Sequence, residues 1–71
     1  MEKMSRALRK IDPVRYRRLL SRTMPVVIET EEENERMLSI VEKLMRKRED
    51  LSAEEEKLLK LLARLIEDFE Q

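Results

Sequence analysis

One apolar pattern occurs twice in this chain, 21 residues apart. Met37, Leu38, Ile40, Val41, Leu44 and Met45 each have an apolar counterpart 21 positions on, at Leu58, Leu59, Leu61, Leu62, Leu65 and Ile66. Spacings of three and four residues place such side chains on one face of an α-helix. At about 100° per residue each stripe spans about 160°, wider than the stripe of about 100° that faces a core. The pattern therefore constrains the fold to two long helices, each with more apolar surface than one neighbour covers.

Each helix has a start signal. Thr30-Glu31-Glu32-Glu33 reads as a capping box, in which the Thr30 hydroxyl accepts from the Glu33 N–H and the Glu33 carboxylate returns to the Thr30 N–H. Three glutamates in the first turn suit the positive end of the helix dipole. This helix is expected from about Glu31 to Lys47, with Arg46, Lys47 and Arg48 at its negative end. Ser52 and Glu55 repeat the box, and the last helix is expected from about Ala53 to Phe69. A link of about five residues between them predicts an antiparallel helical hairpin.

Upstream, Asp12-Pro13 supplies an N-cap and a first-position proline, predicting a short helix over about Pro13 to Arg22. Its apolar face is narrow, formed by Tyr16, Leu19 and Leu20, with Arg15, Arg18 and Arg22 on the other side. Met4, Ala7, Leu8 and Ile11 are also spaced like a helix face. Pro25 disfavours helix at Met24, and Val26-Val27-Ile28 favours an extended backbone over about 25–29. That segment reads equally as a connector packed on the helices or as a strand pairing with its own copy. The expected organisation is a basic N-terminal arm with a short helix, 1–24, and a helical-hairpin module with a leading extended segment, 25–71. The fold class is all-α, completed as a homodimeric bundle because the leftover apolar face needs cover. The residues expected in the core or at the dimer contact are Leu38, Val41, Leu44, Leu58, Leu62, Leu65 and Phe69.

Composition removes several functional classes. The 71 residues include no Cys, His, Gly or Trp. Disulfides, thiol catalysis, Cys/His zinc sites and Gly-rich phosphate loops are therefore not available. No apolar run approaches the roughly 20 residues that span a bilayer, and the N-terminus lacks the apolar stretch of a signal peptide, so a cytoplasmic protein is expected. Without His or Cys, general-base and nucleophile chemistry falls to carboxylates, lysines, serines and one tyrosine. The glutamate runs fan out around their helices, and the core positions are aliphatic, so neither a catalytic nor a metal centre is expected. No cofactor is expected either.

The net charge of zero conceals a division. Residues 1–28 carry eight basic and two acidic residues, a net of +6, and residues 29–71 carry eight basic and fourteen acidic, a net of −6. Attraction between the two segments, within a chain or between chains, accounts for such a split. Phosphate contact by Arg15, Arg18 and Arg22, or contact with an acidic partner, is the alternative use of the basic arm.

From Tyr16 to Glu70 the chain also resembles a known module. Val27-Ile28-Glu29-Thr30-Glu31-Glu32-Glu33-Asn34-Glu35, then Ile40-Val41-Glu42-Lys43-Leu44-Met45, Leu51-Ser52-Ala53-Glu54-Glu55-Glu56 with Leu58-Leu59, and Leu62-Ala63-Arg64-Leu65-Ile66-Glu67-Asp68-Phe69-Glu70 are similar in order and spacing to the N-terminal module of HigA-type antitoxins. Tyr16-Arg17-Arg18-Leu19-Leu20 followed by Pro25 fits the region that precedes it. The resemblance implies a transcriptional regulator of a toxin–antitoxin system that neutralises a small, basic, messenger-cleaving ribonuclease and precedes a helix-turn-helix domain. The sequence stops at Gln71, where that domain would begin, which puts DNA binding by this polypeptide in doubt. On this reading Glu29, Glu31, Glu32 and Glu35 are the toxin-binding candidates, with Glu54 to Glu56 as a second acidic surface. A stand-alone homodimerisation module and a nucleic-acid accessory factor using the basic arm remain the alternatives.

Overall fold

The structure, a computed structural model, describes residues 10–71. These residues are all helical in their regular structure and contain no strand. Three α-helices follow one another: α1 (Pro13–Thr23), α2 (Glu31–Met45) and α3 (Ala53–Glu70), with a 3₁₀ turn at Arg48–Asp50 between the last two. The helix-like spacing of Met4, Ala7 and Leu8 lies outside the described residues. Ile11 is half-buried and not helical.

Helix α1 begins as its sequence predicts. Asp12 is extended and its Oδ1 accepts from the backbone N–H groups of Val14 at 2.9 Å and Arg15 at 3.4 Å, with Pro13 following. The helix ends at Met24, which turns into the left-handed region at φ 48° while its N–H still donates to the Leu20 carbonyl. Glycine is the residue that ordinarily takes this position, and the sequence has none. Pro25 then prevents resumption of the helix. Arg36, projecting from α2, donates from its two terminal nitrogens to the carbonyls of Thr23 at 2.8 Å and Met24 at 3.2 Å. This places a cation where the dipole of α1 is negative and satisfies carbonyls that a helix end leaves open.

The segment between α1 and α2 is an extended connector. Its anchor is Ile28, buried in the core, whereas Val26 and Val27 are exposed. Helix α2 starts on Thr30, whose hydroxyl accepts from the Glu33 N–H at 3.1 Å. The return bond differs from the expected box: Glu33 accepts from the Glu29 N–H at 2.8 Å, one residue further out than Thr30. An orphan donor is satisfied in either arrangement.

Helix α2 stops at Met45, short of the expected Lys47. The chain tightens there, with the Lys47 N–H donating to Leu44, three residues back, and Arg48 then takes a left-handed conformation at φ 50°. With no glycine available, these two features reverse the chain. Helix α3 starts on a complete capping box: Ser52 Oγ accepts from the Glu55 N–H at 3.1 Å, and Glu55 Oε1 accepts from the Ser52 N–H at 3.0 Å.

Helix α3 is the centre of the fold and packs against both α1 and α2. Its buried line is Glu54, Leu58, Leu62 and Ile66, one residue per turn. Leu58 and Leu62 are fully buried, as is Met37 from α2. Leu19, Ile28 and Leu44 complete the cluster, and Tyr16, Leu20, Ile40, Val41, Leu51, Leu59, Leu65 and Phe69 pack around it. Each fully buried aliphatic side chain contributes on the order of 1.5–3 kcal/mol. Much of the cover that the wide stripes of α2 and α3 require is thus supplied by α1 and by Ile28 of the connector.

Candidate functional site

Two charged surfaces of opposite sign lie on the described residues. The first is the outward flank of α2. Glu31, Glu35, Leu38, Glu42 and Met45 are all exposed. They follow one another at spacings of four and three, which places them within an arc of about 80° on a helix of 3.6 residues per turn. Glu32 is exposed beside this strip, and Glu29 precedes it in the connector. None of the carboxylates of Glu29, Glu31, Glu32 or Glu35 has a hydrogen bond or ion pair with another described residue. Leu38 is 41 % exposed and Met45 59 % exposed. The strip thus places two exposed apolar side chains among its carboxylates.

Of the residues expected in the core or at a dimer contact, Leu44, Leu58 and Leu62 are buried within the chain itself. Val41, Leu65 and Phe69 are half-buried against that core, and Leu38 faces outward. Leu38 and Met45 are exposed because they lie at one edge of the stripe, about 100° and 80° from the buried Met37.

The second surface is an open cleft of about 190 Å³ between α1 and the start of α3. Arg15, Arg18 and Arg22 line one side and Leu19 the floor, with Ser52, Glu54 and Glu55 opposite. Asp12 and Pro13 set the register of α1, and the three arginines then fall at spacings of three and four on one face. Their guanidinium groups make no hydrogen bond or ion pair to a described residue, although the charge of Arg15 acts on Glu54.

The glutamates opposite are engaged. Glu54 is 6 % exposed. Its Oε2 accepts from the Asp12 backbone N–H at 2.7 Å. That bond, with help from its own N–H, Ser52 and Arg15, outweighs desolvation and holds its carboxyl below the usual glutamate range. Glu55 is pushed up by partial burial, but Lys47 and the cap bonds to Ser52 prevail and its carboxyl also lies low. Lys47 forms an ion pair with Glu55. The second acidic surface expected at Glu54 to Glu56 is therefore corrected: Glu54 turns inward to tie α3 to α1, because the Asp12 N–H precedes α1 and has no helical partner of its own.

The remaining chemistry is sparse. Among the described residues no group of three or more acidic, His or Cys side chains is placed to hold a metal ion, and no helix is long and apolar enough to cross a membrane. Tyr16, the aromatic of the basic helix, is half-buried and packs against the core. No known protein family, no curated protein and no solved structure matches this chain.

Proposed function

We propose that this chain is a non-enzymatic protein-interaction module, a helical hairpin buttressed by α1, that binds a basic protein partner through the outward flank of α2. The observation that carries this reading is the strip Glu31, Glu35, Leu38, Glu42 and Met45, in which carboxylates unpaired among the described residues and exposed apolar side chains share one helix face. A ribonuclease that binds phosphates presents a basic site. An acidic strip speeds encounter with it, and Leu38 and Met45 add apolar burial once contact is made. The resemblance to HigA-type antitoxins fits the same partner, a small messenger-cleaving ribonuclease toxin met in the cytoplasm, with Glu29 and Glu32 at the edge of the contact. Operator binding is not part of the proposal.

The test is inhibition of messenger cleavage by the small basic ribonuclease toxins that pair with HigA-type antitoxins. Equimolar chain is expected to suppress cleavage by one of them and to form a stable complex with it. The double variant Glu35→Lys with Leu38→Glu, which alters only exposed side chains, is expected to lose both effects. Full cleavage in a molar excess of the unaltered chain, with no complex on gel filtration, overturns the reading.

A further inference from the structure

We propose that the arginine cleft is filled by a second copy of this chain, which seats the first turns of its α2, at Glu31, Glu32 and Glu35, against Arg15, Arg18 and Arg22. The inference names the surfaces through which the expected homodimer would form; it shares Glu31, Glu32 and Glu35 with the toxin reading, so the two partners would compete for them, and its test is run without a toxin. It begins from the charge division. The net of +6 over residues 1–28 and −6 over residues 29–71 suggests mutual attraction. Within one chain the described residues do not realise that attraction as ion pairs. Lys47 pairs with Glu55 inside the acidic segment, while neither Arg15, Arg18 and Arg22 nor the carboxylates of Glu31, Glu32 and Glu35 pair with a described residue. Each copy therefore carries both halves of a complementary contact in a fixed one-to-one ratio.

The dimensions agree. Arg15 to Arg22 rises about 10 Å along α1 and Glu31 to Glu35 about 6 Å along α2, at about 1.5 Å per residue. One turn of the acidic helix thus lies within the two turns that carry the arginines. Guanidinium groups form planar, two-bonded contacts with carboxylates, which lysines do not. The far wall of the cleft carries Glu54 and Glu55. Both of those carboxylates are already held by Asp12, Ser52 and Lys47, so the groups left for a ligand are the three guanidiniums.

Sedimentation of the full chain tests the proposal. Self-association is expected at about 0.1 M salt and should weaken by about tenfold or more at about 1 M, as the screening length contracts from about 10 Å to about 3 Å. The triple variant R15E/R18E/R22E and the triple variant E31R/E32R/E35R are each expected to sediment as monomers. Their equimolar mixture is expected to form a heterodimer, because one contact keeps its native signs and the other is restored with the signs exchanged. Far-UV circular dichroism of each variant checks the helices, and R15Q/R18Q/R22Q gives a milder neutral form should a reversal unfold the chain. A chain that is monomeric at every salt concentration overturns the proposal. So does association that salt leaves unchanged or that R15E/R18E/R22E retains, which points to the apolar faces instead. Binding of a single-stranded oligonucleotide that R15E/R18E/R22E abolishes, with no self-association of the unaltered chain, overturns it in favour of nucleic acid.

Discussion

The Glu54 carboxylate accepts a hydrogen bond from the Asp12 backbone N–H at 2.7 Å, joining positions 42 residues apart. Asp12 itself caps α1 with its side chain, so one residue begins a helix with its carboxylate and is fastened to another helix by its amide. The bond is stronger to an ionised carboxylate, and Glu54 lies below its ordinary value of 4.5 for that reason first. Glu55 is also lowered. A carboxyl depressed in the folded state contributes stability that is present above its unfolded value and is lost as pH falls through the folded one. Thermal melts are therefore expected to hold steady at neutral pH and to fall as the solution is acidified below the ordinary glutamate value. Glu54→Gln should lower the melting temperature at pH 7 and flatten that acid limb, whereas Glu67→Gln, on an exposed position, should do neither. An unchanged acid limb in Glu54→Gln would remove Glu54 from this role.

Met24 and Arg48 both occupy the left-handed region, at φ 48° and φ 50°. A side chain there costs on the order of 1–2 kcal/mol relative to ordinary helical backbone. Glycine avoids that cost but has more freedom to lose from the unfolded chain, about 0.5–1 kcal/mol. Met24→Gly and Arg48→Gly are each expected to raise stability by about 0.5–1 kcal/mol in urea melts. The Met24 side chain is 59 % exposed, so little packing is forfeited. A loss of stability in both variants would mean that these residues leave the left-handed region in solution.

The elements most fully written in the sequence are those whose determinants are local. Asp12-Pro13 and Ser52 with Glu55 specify helix starts through bonds between near neighbours, and the structure contains them. The 21-residue repeat likewise marks which helix faces turn inward. Features that depend on the approach of distant segments were not legible. Glu54 reads as one more glutamate in a first turn, and only the arrival of Asp12 makes it a buried tie. Arg36 reads as a surface charge, and only the end of α1 shows it as a clamp on two carbonyls. Leu38 reads as core or dimer contact, and periodicity reports a face without saying which of the two covers it. In the candidate site, the carboxylates of α2 were legible as an acidic surface. That Leu38 and Met45 share their strip, and that Arg15, Arg18 and Arg22 line a cleft, required the packing of α3.

Leu61 and Leu62 are adjacent in α3 and opposite in environment, 37 % and 0 % exposed. Truncating a fully buried leucine removes its transfer energy and leaves a cavity, a loss of about 2–5 kcal/mol. Leu62→Ala is expected to unfold a domain this small at or near room temperature, since its whole stability is of similar size. Leu61→Ala should change stability by no more than about 0.5 kcal/mol. The comparison is read from paired chemical melts at one protein concentration. Equal losses for the two variants would show that Leu61 is covered in solution, by self-association or otherwise, and repeating the melt at higher dilution separates those cases.

Asn34 sits in α2 at 8 % exposure with its side-chain oxygen buried and without a hydrogen-bond donor among the described residues. A buried acceptor left unpaired costs about 1–3 kcal/mol relative to its hydration in the unfolded chain. Leucine has nearly the same branched shape as asparagine, a higher helix propensity and no polar atom to satisfy. Asn34→Leu is therefore expected to raise stability by about 1 kcal/mol in chemical melts. The larger methyl groups set the upper limit on the gain, because a tightly packed site resists added volume. Asn34→Asp is the opposing control. It keeps the shape but places a charge in the same buried position, and it should destabilise the fold more at pH 7 than at acid pH, where the carboxyl is protonated. If Asn34→Leu instead loses stability while Asn34→Asp does not, the side-chain oxygen has found a donor in solution. The residue would then be part of the bonding of α2 rather than a cost carried by it.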